Sequence, residues 1–236
     1  MHLRKGEGMM QKDKEQYNVK QIQPFLAEGA EEHFFQIMQG YNRMMAYYRC
    51  AIMEVETKFN VLNEEFSLQH DRNPISGIKS RLKSLPSIRE KMDRKGLEFN
   101  LQNVEKELND VAGVRVICSF VEDVYLLADA LLKQDDITLL EKKDYIAHPK
   151  ENGYRSLHLI VTVPIFLEHE KRIMKVEIQL RTIAMDFWAS LEHQICYKKD
   201  FEFTETMAKE LYECAQLSAD LDTRMDNLRS QVDLQK

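Results

Sequence analysis

Between Ala30 and Phe66, apolar side chains fall at Phe34, Met38, Tyr41, Met45, Tyr48, Ile52, Val55, Phe59, Leu62 and Phe66, alternately four and three residues apart without a miss. Only an α-helix brings such positions onto one face, so the segment reads as a long helix with a single apolar seam. Unbroken, at about 1.5 Å per residue it spans roughly 55 Å, more than the width of a small domain. It must bend, or pack on something beyond its own domain. A second seam follows near the C-terminus at Leu211, Cys214, Leu221, Met225, Leu228 and Val232, interrupted by Ser218. The two helices cover one core or each other; self-association through them is the alternative.

Between the seams the pattern turns to mixed α/β. Val114, Val116, Cys118 and Phe120 alternate with Arg115, Ile117 and Ser119 in a strand just after Asp110, and Leu126 to Lys133 reads as helical. Ile137 to Glu141, Leu157 to Val163 and Met174 to Arg181 are three further strands, with Pro149, Gly153 and Pro164 punctuating loops. Ile183 to Tyr197 is helical, and its Phe187 and Trp188 read as core aromatics. The expected fold class is α/β (α+β), a mixed sheet of four to five strands flanked by helices. The expected organisation is a polar, mobile segment 1–29, a helical segment 30–70, a catalytic core 71–200 and a C-terminal helix 201–236, with one catalytic domain in all.

The 236 residues carry 33 Lys plus Arg against 39 Asp plus Glu, a net charge of −6. That balance argues against a generic nucleic-acid binder, but it hides an asymmetry. Arg72 to Lys95 holds eight basic residues and two acidic ones, a local +6 that leaves −12 for the rest. No stretch of about 18 apolar residues or apolar signal core occurs, so no membrane role is expected and the cytoplasm is the expected location. Cys50, Cys118, Cys196 and Cys214 form no CxxC pair, which suits reduced thiols.

Three clusters carry chemistry. In the basic segment, Lys79, Arg81 and Lys83 precede Ser84 and Ser87, and Pro86 favours a helix beginning near Ser87. Ser87 and Lys91 then share a face, so hydroxyl, ammonium and helix N-terminus converge as a phosphate holder; a solvated basic face is the plainer alternative. No GxxxxGK[ST] or GxGxxG is present, which excludes P-loop and Rossmann cradles. The second cluster is Asp110, at the start of a strand, with Glu177, which period-two alternation places on one face with Gln179 and Arg181. Two carboxylates facing a basic segment are what Mg2+-dependent phosphoryl transfer requires. The third is Lys142 to His158, four cations, two tyrosines and an amide around a Gly turn, suited to a base and its phosphates.

The segments RLKSLPSIREKMDRKG (Arg81 to Gly96), NDVAGVRVICSF (Asn109 to Phe120), KDYIAHPKENGYRSLHLIV (Lys143 to Val161) and VEIQLRTIAMDFWASLEHQICYK (Val176 to Lys198) closely resemble the synthetase domain of the RelA/SpoT-homologue family. They occur in family order over about Arg72 to Lys198. The chain resembles a small alarmone synthetase, and NPISGIKSRLKS and AMDFWASLEH are most similar to the RelP-type branch. The resemblance implies a nucleotidyltransferase-like fold and transfer of the β,γ-pyrophosphate of ATP to the 3′-hydroxyl of GDP or GTP, making ppGpp or pppGpp. It implies that Arg81 and Arg115 flank the ATP base and that Lys83, Ser87 and Lys91 hold its phosphates. Asp110 and Glu177 become the catalytic carboxylates and Mg2+ ligands, with Glu177 as ligand or as base. Tyr154 stacks on guanine beside Asn152, Lys143, Lys150 and His158 contact the acceptor, and Gln179 and Arg181 support.

The resemblance further implies a homotetramer, which would occupy the long seams, and leaves room for an RNA regulator. His70-Asp71 spells the pair used by family hydrolases, but no partner set of ligands surrounds it in the sequence. The competing expectation is a module that binds single-stranded RNA or nucleotides with little turnover.

Overall fold

A computed structural model describes residues 30–70, 72–196 and 203–233. The expected segment 1–29, Asp71 of the His70-Asp71 pair and the boundary near 200 lie outside the described residues. Two compact units divide at Asn42, and the sheet and every site residue belong to residues 43–236.

The first seam forms α1 (Ala30–His70). Met45, Tyr48, Ile52, Val55, Phe59 and Leu62 are buried, as the spacing predicts, and Phe66 is half-buried. Polar contacts fix the helix beside them: Tyr47 Oη donates to Glu170 (3.0 Å), Lys58 Nζ pairs with Asp136 (2.7 Å), and Asn63 Oδ1 accepts from the Ile75 amide (3.1 Å).

Five strands follow: β1 (Ile75–Leu82), β2 (Ala112–Cys118), β3 (Thr138–Asp144), β4 (Leu157–Phe166) and β5 (Lys171–Thr182), in spatial order β1-β2-β5-β4-β3. Only β2 and β5 run parallel; the other three pairings are antiparallel. The structure adds one strand to the sequence reading. Apart from its leucine and isoleucines, β1 is Ser-Gly and Lys-Ser-Arg, too polar to announce itself, because it is an edge strand with a largely open face. Pro164, expected in a loop, lies inside β4. β3 stops at Thr138, opposite Thr162, so no neighbour on that side needs a hydrogen from residue 164.

The helices are α2 (Leu85–Arg94), α3 (Leu101–Glu107), α4 (Val121–Leu132), α5 (Ile183–Cys196) and α6 (Glu205–Asp233). On α5 the expected aromatic pair separates: Trp188 is buried and donates to the Leu211 carbonyl (2.8 Å), whereas Phe187 is 67% exposed. Adjacent helix positions point about 100° apart, so only one of the two can face the core. The second seam also turns the other way. Leu221, Met225, Leu228 and Val232 are exposed, and α6 turns Ala215, Ser218 and Asp222 inward. Ser218 Oγ donates to the Ala184 carbonyl and Asp222 accepts from Thr182 Oγ1, contacts that need a short helix separation and small residues.

Candidate active site

The strand register builds the site. Lys79 pairs with Arg115, Arg115 with Gln179, Gln179 with His158, and His158 with Lys143. Directly paired residues point to the same face of a sheet, so one polar row crosses all five strands. The neighbouring row sets Arg81 against Gly113 and Gly113 against Glu177. With no Cβ at Gly113, the floor between the Arg81 and Glu177 positions stays low.

At one end of the row α2 forms a cationic cradle. Ser84 caps the helix, its Oγ accepting from the Ser87 amide (3.4 Å) and lying 3.0 Å from Ser87 Oγ, and Pro86 occupies the first turn. Ile88 and Met92 anchor the opposite face in the core, which directs Lys91 toward β2. Lys83 and Lys91 both reach Asp110 Oδ2 at 2.8 Å. Burial alone would raise the Asp110 carboxyl, but these two ammonium groups more than offset it and hold it below the ordinary range. Its other oxygen, Oδ1, is buried with no hydrogen-bond partner. An unpaired buried carboxylate oxygen is costly unless something positive meets it.

Glu177 stands on β5 near this carboxylate. Burial, and then the negative charge of Asp110, push its carboxyl above the usual value. Gln179 Nε2 donates to Glu177 Oε2 (3.1 Å), and Gln179 Oε1 accepts from Arg181 Nη2 (3.0 Å). The same Nη2 donates to Tyr154 Oη (2.6 Å), and Tyr154 Oη lies 2.8 Å from His158 Nε2. Because the phenol oxygen accepts from Arg181, its hydrogen goes to Nε2, which leaves the ring hydrogen on Nδ1. That atom faces Glu177 Oε1 at 3.7 Å, closing a ring of side chains. Burial and the surrounding cations, Arg181 first, push the His158 pKa down to about 3, so the imidazole is neutral and this last contact is dipolar.

The loop between β3 and β4 is tied at both ends. Asp144 accepts from the Ile146 and Ala147 amides and from Tyr125 Oη, and the Tyr145 amide donates to the Ser156 carbonyl. Asn152 Oδ1 accepts from the Tyr154 amide (3.1 Å), a local turn that the amide side chain favours. Gly153 follows at φ +86°, pressed so closely on α6 that an added Cβ would lie 2.5 Å from Ala215 Cβ. Tyr154 packs on Trp188 and Ala215. Lys150 Nζ sits 4.7 Å over the Tyr145 ring and 4.9 Å over that of Tyr154.

Among the sequence candidates, Lys83 and Lys91 meet on Asp110, and Glu177, Gln179, Arg181, Tyr154 and His158 form a second connected group whose Glu177 feels the Asp110 charge. Arg115 joins them through Asp186. Ser87 sits at the α2 N-terminus, Arg81 is exposed on β1, and Lys143 pairs with Glu141 (3.0 Å) at the far edge. Asn152 turns aside, its Nδ2 donating to Glu192 on α5 (3.3 Å). Asp186 was missed by the sequence reading. It is buried and receives Lys79, Arg115 and Arg181. Its only sequence signal is a carboxylate amid the apolar run Ile-Ala-Met-Asp-Phe-Trp.

A mixed sheet carrying a cationic cradle, two carboxylates and a tyrosine-bearing loop defines an α+β protein designed to handle phosphate-bearing ligands. Comparison with known proteins agrees: residues 80–202 match the family model described as the region found in RelA / SpoT proteins. The chain belongs to the RelA/SpoT family. It is 42% identical over 197 residues to GTP pyrophosphokinase YwaC of Bacillus subtilis (strain 168), a match covering 84% of this chain and 94% of that one. Small alarmone synthetase 1 from Bacillus subtilis, solved with its product pppGpp, superposes with a TM-score of 0.75 at 34% identity, covering 82% of this chain and 98% of that one. Small alarmone synthetase 2 from the same organism gives 0.72 at 42% identity, covering 79% and 97%.

Proposed function

We propose that this chain is an alarmone synthetase that transfers the β,γ-pyrophosphate of ATP to the 3′-hydroxyl of GDP or GTP. The observation that carries the reading is the meeting of Lys83 and Lys91 on Asp110, with Glu177 close enough to feel that charge, on a sheet whose polar row also reaches His158 beside the Tyr154 loop. In this reading Arg81 and Arg115 flank the ATP base, and Lys83, Lys91 and Ser87 take its phosphates. Both lysines are already directed into the site by Asp110, so the cradle is pre-ordered.

The residues also suit Mg2+. Asp110 Oδ1 is a buried oxygen with no hydrogen-bond partner, and Glu177 adds a second carboxylate; these two would hold the ion. When bound, Mg2+ neutralises charge on the phosphates in transfer. Glu177 is the group to accept the proton of the 3′-hydroxyl as that oxygen attacks the β-phosphorus and AMP departs. Its raised pKa makes it a stronger base than an ordinary carboxylate. Gln179 holds Glu177 Oε2 in place, and the neutral His158 ring faces Oε1 at 3.7 Å. Guanine stacks on Tyr154 once the Lys150 ammonium leaves the ring face, and that ammonium, with Lys143, then meets the acceptor's phosphates.

Incubation with ATP, Mg2+ and GDP should yield a 3′-pyrophosphorylated product and AMP. Asp110→Asn or Glu177→Gln should lower kcat by at least about a hundredfold with the fold intact. Absence of product with the wild-type chain would end this reading. Use of ATP and GDP or GTP as substrates supports a cytoplasmic enzyme; among the described residues no helix is long and apolar enough to cross a membrane. The outward stripe of α6, Leu221, Met225, Leu228 and Val232, supports a homotetramer built through helices. An RNA regulator would find the basic β1–α2 segment; RNA that leaves turnover unchanged at low salt argues against it.

A further inference from the structure

Among the described residues, Asp186, on the first turn of α5, is the carboxylate that touches both halves of the site. Its Oδ1 accepts from Arg115 Nη1 at 3.1 Å and lies 3.5 Å from Arg181 Nη1, while Oδ2 accepts from Lys79 at 3.1 Å. Two guanidinium groups therefore share a single oxygen. Arg115 holds it at hydrogen-bond distance, and Arg181 sits at the limit. Arg181 in turn holds the Tyr154 hydroxyl at 2.6 Å. Arg181 is 4% exposed; its Nη2 is held by Tyr154 and Gln179 and its Nε lies 3.4 Å from Ser156 Oγ, so it is Nη1 whose share of Asp186 can change.

We infer that Asp186 is a positioning residue that makes binding of the pyrophosphate donor strengthen binding of the acceptor. The inference rests on the proposed function, in which Arg115 lies against the donor base and Tyr154 against the acceptor base. When a nucleotide draws Arg115 toward its base, Oδ1 is released to Arg181. The Arg181 fork then closes fully on Asp186 and fixes the Tyr154 ring through Nη2, so less side-chain freedom is lost when a second base stacks on it. By linkage, the acceptor strengthens donor binding by the same factor. The two-state element is the sharing of Oδ1 between two arginines, and each nucleotide biases it.

The test titrates GDP calorimetrically into the full-length protein, with and without a saturating ATP analogue bearing a methylene in place of the α,β-bridging oxygen, which cannot transfer. In the wild type the analogue should tighten GDP binding by at least about fivefold. Asp186→Asn keeps the shape and removes the charge, and should bring that ratio to within about twofold of unity, the lower end of measurable coupling. Should Asp186→Asn fail to fold, Tyr154→Phe tests the other end of the same chain: it keeps the stacking ring, loses the hydroxyl, and should abolish the ratio too. A wild-type ratio of one, or a full ratio retained in either folded variant, overturns the inference while leaving the proposed function standing. If neither nucleotide binds the wild type, the proposed function falls and this inference with it.

Discussion

The contact between Gly153 and Ala215 can be tested by a pair of one-carbon changes. Gly153→Ala forces an L side chain into φ +86°, which costs about 1–2 kcal/mol. It also sets a methyl 2.5 Å from Ala215 Cβ, so one element must retreat, an overpacking penalty of about 1–3 kcal/mol. The sum is about 3.5 kcal/mol at the middle of these ranges. Ala215→Gly alone costs about 1 kcal/mol through helix propensity. In the double variant the methyl finds room, and only strain and propensity persist. Urea unfolding of the four proteins should therefore show the double variant less destabilised than the sum of the singles by at least about 1 kcal/mol. Since Tyr154 rides on this loop, Gly153→Ala should also raise the KM for GDP more than that for ATP. Additive stabilities within about 0.4 kcal/mol would refute the close approach of loop and helix.

Three further outcomes follow from the electrostatics and the surface. Asp110→Asn frees Lys83 and Lys91 from their carboxylate, so binding of metal-free ATP should tighten even as turnover collapses; weaker metal-free binding by calorimetry would contradict the cradle. His158 has a pKa near 3 in the folded chain against about 6.5 unfolded, so below pH 6.5 the unfolded state binds the extra proton and stability falls as pH drops. The loss is about 2 kcal/mol between pH 7 and pH 5, and His158→Gln should flatten that slope in denaturant titrations; an unchanged slope would place the pH sensitivity elsewhere. Leu221→Glu with Leu228→Glu should reduce the mass seen by light scattering while the melting temperature holds. A mass unaffected by both charges would exclude that stripe from the assembly.

The first helix was legible because its period is strict and its seam is buried from Met45 to Leu62. The cationic cradle was legible because lysines, serines and a proline crowd a short stretch. Other features escaped for physical reasons. Strand β1 hides because an edge strand buries little and so keeps polar side chains. The seam on α6 pointed the wrong way, since the face that packs is small and polar where the helix presses on the Gly153 loop. Asp186 was invisible because its meaning lies in three cations from other elements, none near it in the chain except Arg181. The resemblance sets Asn152 beside the guanine; in the structure its amide oxygen braces a turn and its nitrogen reaches Glu192.

The strand order carries a consequence for synthesis. β5 is the last strand made, yet it lies between β2 and β4, so until it arrives the sheet is two separate antiparallel pairs, β1 with β2 and β3 with β4. The first pair carries Asp110 at its mouth, the second carries His158 and the Tyr154 loop, and β5 brings Glu177, Gln179 and Arg181, which join them. A growing chain on the ribosome therefore passes through no half-active stage. A product cut short before Lys171 holds the cationic cradle and the Tyr154 loop with nothing between them, and a long-range strand insertion of this kind makes the closing step the slow one. Signal production begins only when the whole sheet has closed.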